Sequence, residues 1–154
     1  MTVIQAAALT VLMFLVLHPE KPCSCKKVEP WEKAQGGWRY PPIIEKKIRK
    51  SIHGQVHDAN GQPLAGVFVE VFDNPAARLE SGMDIADLAK KQKRIAVCKT
   101  AEDGRFCFSS VPSGSYELRY TKDMSFETKS VIVKVGQNQG GSKKDISVLL
   151  EVSH

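Results

Sequence analysis

The sequence predicts an all-β fold, an antiparallel β-sandwich of about seven strands, and three observations support this. From Ile52 onward, apolar residues recur with period two in short runs. The runs are separated by turn-forming clusters such as Asp58-Ala59-Asn60-Gly61, Glu102-Asp103-Gly104 and Pro112-Ser113-Gly114. The 154-residue chain is 42% hydrophobic and 25% charged, which suits one domain with a real core, with room for a tail, and excludes a disordered polyelectrolyte or a large multidomain enzyme.

The first run alternates Ile52, Gly54 and Val56 with His53, Gln55 and His57, and ends at the Asn60-Gly61 turn. Val67, Val69 and Val71 alternate next, with Phe68 and Phe72 on the opposite face. Asn74-Pro75 can then start a helix, and Leu79, Met83, Ile85, Ala86 and Ala89 fall on one helical face. Lys90, Lys91, Lys93 and Arg94 near its end favour the negative pole of the helix dipole. Residues 75–92 therefore read as a helical insertion between strands. The β rhythm resumes with Ile95 and Val97, Phe106 and Phe108, then Tyr116, Leu118 and Tyr120. Val131, Val133 and Val135 follow, and the pattern closes with Ile146, Val148, Leu150 and Val152. Phe68 and Phe72 would be costly if left bare. Either the insertion or an arm bearing Trp31 and Trp38 covers them, or Phe68, Phe72, Trp31 and Trp38 form a candidate binding face.

Three segments are expected: 1–22 as a signal peptide or membrane anchor, 23–50 as a linker or arm, and 51–153 as the sandwich. Residues 3–17 carry no charge and are short of the about 20 apolar residues of a membrane span, but match the about 7–15 of a signal h-region. No basic residue precedes the run and no small-x-small site follows it, so cleavage, lipidation at Cys23 or Cys25, and retention as an anchor all stay open. Stretch 26–50 is polar and holds Pro30, Gly36, Gly37, Pro41 and Pro42. The expected localisation is extracytoplasmic: periplasmic, secreted or membrane-anchored. Any membrane contact would be through the N-terminal segment.

An oxidising compartment permits disulfides. If Thr100 pairs with Arg105 across the turn at 101–104, Cys98 stands opposite Cys107 at about 4.5 Å between Cα atoms. Cys98–Cys107 is thus the disulfide candidate, with both sulfurs on the outer face. Cys23 and Cys25 could stay free, join another chain or cross-link the arm to the sandwich. His53 and His57 lie about 13 Å apart along a strand, too far to share an ion. No catalytic residue, metal site or cofactor is expected. No nucleophile elbow or phosphate loop occurs, since Gly140-Gly141-Ser142 opens no helix. The net charge of +5 is not gathered into a basic stripe with interleaved aromatics, so no nucleic-acid partner is expected.

The run from Ile52 to Val71, IHGQVHDANGQPLAGVFVEV, resembles the opening of carboxypeptidase regulatory-like domains. The stretches TAEDGRFCF from Thr100 and VPSGSYELR from Val111 resemble the second hallmark of that family. The resemblance implies a transthyretin-like (prealbumin-like), carbohydrate-binding-like sandwich used as an accessory module. Gly61, Gly104 and Gly114 suit positive-φ turns, and Tyr116 and Phe106 suit the core. Collagen-adhesin B-type domains have a similar architecture, some with a Lys–Asn isopeptide bond. Lys50, Glu70 and Glu117 could take part, but the last strand holds no Asn, so none is expected. Intradiol dioxygenases use a related sandwich with a Tyr and His iron site, and that ligand set is not recognisable here. The leading expectation is a non-enzymatic extracytoplasmic module binding a glycan or an envelope protein. The alternatives are a structural cell-envelope or adhesin spacer and, last, a small hydrolase.

Overall fold

The computed structural model describes residues 25–35, 41–79, 85–136 and 141–153. The signal-like segment 1–22, Cys23, Trp38 and Met83 lie outside the described residues. Eight strands form two sheets: β1 (Ile43–Arg49), β2 (Ile52–His57), β3 (Phe68–Phe72), β4 (Arg94–Lys99), β5 (Arg105–Phe108), β6 (Gly114–Thr121), β7 (Lys129–Val135) and β8 (Ile146–Leu149). The larger sheet runs β1-β7-β6-β3-β4 and the smaller β5-β2-β8. Most pairings are antiparallel, but β1–β7 and β2–β8 are parallel.

Val69, Val71, Leu118, Tyr120 and Val133 from the larger sheet meet Ile52, Val56, Phe106, Ile146 and Val148 from the smaller. Phe106 and Tyr120 touch edge to face, with ring centroids 5.5 Å apart. This is the packing the period-two runs imply, and Tyr116 closes one end by donating to Pro112 O at 2.7 Å. Gly54 is required where β8 and β5, its neighbours in the smaller sheet, crowd β2, since a Cβ there would lie 2.0 Å from Ile146 O.

Four local readings change. Strand β1 lies inside the stretch read as linker, and the sheet thus begins before Ser51. Its Ile43, Ile44 and Ile48 are exposed, and a register shift between Ile44 and Ile48 erases any alternation. In β4 the inward residues are Ala96 and Cys98, whereas Ile95 is exposed. The insertion forms two short helices, α1 (Ala76–Leu79) and α2 (Ile85–Lys91). Among its described residues Ala77, Leu88 and Gln92 are buried, while Leu79 and Ala89 face solvent. Gly61 and Gly104 do take positive φ, but Gly114 opens β6 instead and Gly66 is the third such glycine among the described residues.

The expected Cys98–Cys107 disulfide does not form. Its premise was a β4–β5 hairpin, and these strands belong to opposite sheets. Cys98 points into the core and is bonded to Cys25 on the arm. Cys107 is disulfide-bonded too, to a partner outside the described residues.

Candidate functional site

Along β6, Tyr116, Leu118 and Tyr120 face the core, so Glu117, Arg119 and Thr121 face the other side of the larger sheet. Around Glu117 that outer side is not wet. Glu117 is fully buried and Glu70 on β3 nearly so. The Glu117 carboxylate accepts from Ser130 Oγ at 2.7 Å, Gln92 Nε2 at 2.9 Å and Arg119 Nη2 at 3.1 Å, and Arg78 Nε stands 3.5 Å away. Arg78 comes from α1 and Gln92 from just past α2, so the insertion closes over an ionic cluster rather than a bare apolar face. Arg119 also donates to Gln92 Oε1. Burial pulls its guanidinium below the usual value, and Glu117 opposes that pull. Glu70 is held by Arg94 Nη1 at 2.8 Å.

The arm lies beside this cluster. Cys25 ties it to Cys98, and Lys26 pairs with Lys99 on the β4 edge through two backbone hydrogen bonds of 2.9 Å. Lys26 Nζ reaches Glu102 at 2.6 Å, and Lys99 binds Glu32. These lysines hold the Glu32 and Glu102 carboxyls below the usual carboxylate range. Between arm and sheet runs a groove of about 390 Å³, walled by Pro30, Glu32, Lys33 and Ala34 on one side and by Glu70, Phe72, Arg94 and Arg119 on the other. Thr121 and Thr128 complete it, and Thr128 Oγ1 is buried there without a hydrogen-bond partner.

The residues of the candidate face are thus distributed. Phe68 is buried, with Lys99 Nζ 4.9 Å above its ring. Phe72 lies in the groove wall under the Arg119 guanidinium at 3.6 Å. Trp31 stands on the arm between two groove residues and is 76% exposed. His53 and His57 lie on the other sheet, where Nδ1 of His53 meets Asp145 Oδ1 at 2.7 Å and Nδ1 of His57 meets Val148 O at 2.8 Å. Among the described residues, no group of three or more His, Cys, Asp and Glu is placed to hold a metal ion. The sequence offers Glu70 and Glu117 only as acids for an isopeptide bond and does not mark Arg94 and Arg119 as part of a site. The one signal for them was their presence on the same face as Phe68 and Phe72, a face that needed covering.

Two sheets in this order, with the groove outside the core, define a β-sandwich domain. The chain matches the carboxypeptidase regulatory-like domain over residues 51–147 and belongs to that family. No curated protein sequence matches it. Among solved structures it is similar to 3-chlorocatechol 1,2-dioxygenase from Rhodococcus opacus 1CP, at 16% identity over 84% of this chain and 71% of that one, with a TM-score of 0.36. A likeness at that score supports no statement about chemistry.

Proposed function

We propose that the protein is a non-enzymatic, extracytoplasmic interaction module that seats a charged segment of a partner protein in the groove, with Trp31 as the anchor at its rim. One observation carries this reading: a Trp that is 76% exposed sits on an arm whose neighbouring residues wall the groove. Trp and Arg are among the residue types enriched in protein-binding hot spots. The groove walls carry Lys33, Arg94 and Arg119 against Glu32 and Glu70, which suits a segment with charges of both signs. A neutral glycan is disfavoured because Phe72, the aromatic in the wall, is already capped by Arg119. The oxidising compartment is supported by the disulfide at Cys25–Cys98.

The stapled arm also favours a second reading, a rigid spacer in the cell envelope. A photocrosslinker at position 31, compared with one at exposed Asn60 in the turn after β2, separates the two. A partner captured at position 31 and lost on Arg94→Glu supports the groove. Equal capture at both positions supports the spacer. A positive glycan array with no protein crosslink would overturn the protein-partner reading. Recovery of the full-length, reduced chain in the cytosol would overturn the localisation.

A further inference from the structure

The larger sheet ends in two unlike edges. At β4 the arm is stapled on. At β1 the side chains of Ile43, Ile44 and Ile48 are each more than half exposed, and Lys46, Lys47 and Lys50 lie among and after them. Ile44 stands opposite Ile132 of β7 and Ile48 opposite Lys134. Val131, Val133 and Val135 fill the core, so Ile44, Ile48 and Lys134 share the outer side of the sheet. Segment 141–144 then lies along the end of β1. Ser142 N donates to Ile48 O at 2.7 Å, and Lys50 N donates to Ser142 O at 3.2 Å. Arg49 reaches Lys144 O, which brings Lys143 and Lys144 beside Lys50.

Three stretches far apart in sequence thus place six exposed lysines at one edge. Among the described residues, none of their ammonium groups has a hydrogen-bond or ion-pair partner. The acid within these stretches, Glu45, is taken by Arg49, and Asp145 just beyond them is held by His53 and Arg105. Protection of an open edge accounts for the lysines of β1. It does not account for Lys134, Lys143 and Lys144, which lie off that strand, or for three bare isoleucines, which make an edge stickier. A protein partner matches poorly, since protein interfaces are enriched in Arg and aromatic residues and depleted in Lys. A nucleic acid would meet the lysines through its phosphates and leave the isoleucines against a polar backbone. A lipid interface satisfies both. Lysine heads on flexible stems reach headgroup phosphates, and the isoleucines enter the acyl boundary.

We propose that the β1 edge is a membrane-docking surface that seats the domain on anionic phospholipid. This goes beyond the groove and does not depend on it. Because β1 and β4 are opposite edges of the sheet, docking at β1 leaves the arm and Trp31 open to a partner.

The test is co-sedimentation of the full chain with vesicles of phosphatidylcholine alone and with vesicles of a two-to-one mixture of phosphatidylcholine and phosphatidylglycerol. The apolar stretch 3–17 is common to every variant, so its contribution cancels between them. The mixed vesicles should bind more tightly. Lys143→Gln with Lys144→Gln should weaken that binding more than about tenfold, since each lysine near a charged surface contributes about fivefold. Ile44→Ser with Ile48→Ser should weaken it at least about fivefold. Lys27→Gln with Lys93→Gln removes the same charge at the β4 edge and should change it less than about twofold. Equal binding of the wild-type chain to both kinds of vesicle would overturn the proposal. So would an equal loss in the β4-edge variant, which would show an effect of net charge alone. Duplex DNA that binds as tightly as the mixed vesicles, with no loss in the isoleucine variant, would overturn it in favour of a nucleic acid.

Discussion

The space between the two sheets and the patch around Glu117 on the outer face of the larger sheet are both closed to water, yet they are filled by different chemistry. Glu117 and Leu118 stand next to each other in β6, and both are fully buried. Leu118 enters a dry layer of Val, Ile, Phe and Tyr side chains, where non-directional packing supplies the stability. Glu117 enters a layer in which Arg78, Gln92, Arg119 and Ser130 converge on one carboxylate. The first layer tolerates any apolar partner of similar volume. The second ties the helical insertion to the sheet through particular atoms, and that fixes the insertion's position on the sheet.

The sharpest break in this comparison is Glu117→Ala. It leaves two guanidinium groups buried without their shared carboxylate, which should cost about 3–5 kcal/mol in urea unfolding. A loss under about 1 kcal/mol would show that the layer is wet. Leu118→Ala on the adjacent position should cost about 2–5 kcal/mol and leave the groove's partner binding unchanged. A fall in binding with no loss of stability would contradict the separation of the two layers.

Tyr120 tests the dry layer from the other side. Its hydroxyl is buried without a hydrogen-bond partner, and burial pushes it far above the usual phenol range. Tyr120→Phe should therefore hold stability or raise it by about 1 kcal/mol, and a clear loss would reveal a partner for the hydroxyl. The smallest effect belongs to the arm. Glu32 and Glu102 have lowered carboxyl pKa values because Lys99 and Lys26 hold them. Their contribution is complete above the ordinary value of 4.5 and is lost as pH falls through the lowered values. The protection of the Lys26 amide, corrected for the intrinsic exchange rate, should fall in acid while that of Val69 does not. An equal fall at both would mean that the arm and the sandwich open as one.

The sandwich was legible because its core strands obey a single rule, as Val67, Val69 and Val71 show by being fully buried. The rule failed at the edges of the larger sheet and where a second layer covers it. In β4, Ile95 and Val97 are larger apolar residues than Ala96, yet Ala96 and Cys98 are the inward pair. In β6, alternation marks Glu117 and Arg119 as solvent-facing, because nothing in the local pattern announces the helices above them. The disulfide partner of Cys98 was illegible for a topological reason. Short turns imply hairpins, but the turn at 101–104 carries the chain from one sheet to the other. Strand β1 was hidden by its register shift and by the lysines of an exposed edge.

The link between Cys25 and Cys98 spans 73 residues, which has a consequence for how the protein is made. At about 5–20 residues per second, Cys25 emerges roughly 4–15 s before its partner. Throughout that interval the nearest thiol in the chain is Cys23, two positions away. If oxidation reaches the arm in that interval, the native link forms by exchange once Cys98 has appeared, and the yield of this small sandwich should then rise with the supply of a disulfide-exchanging catalyst.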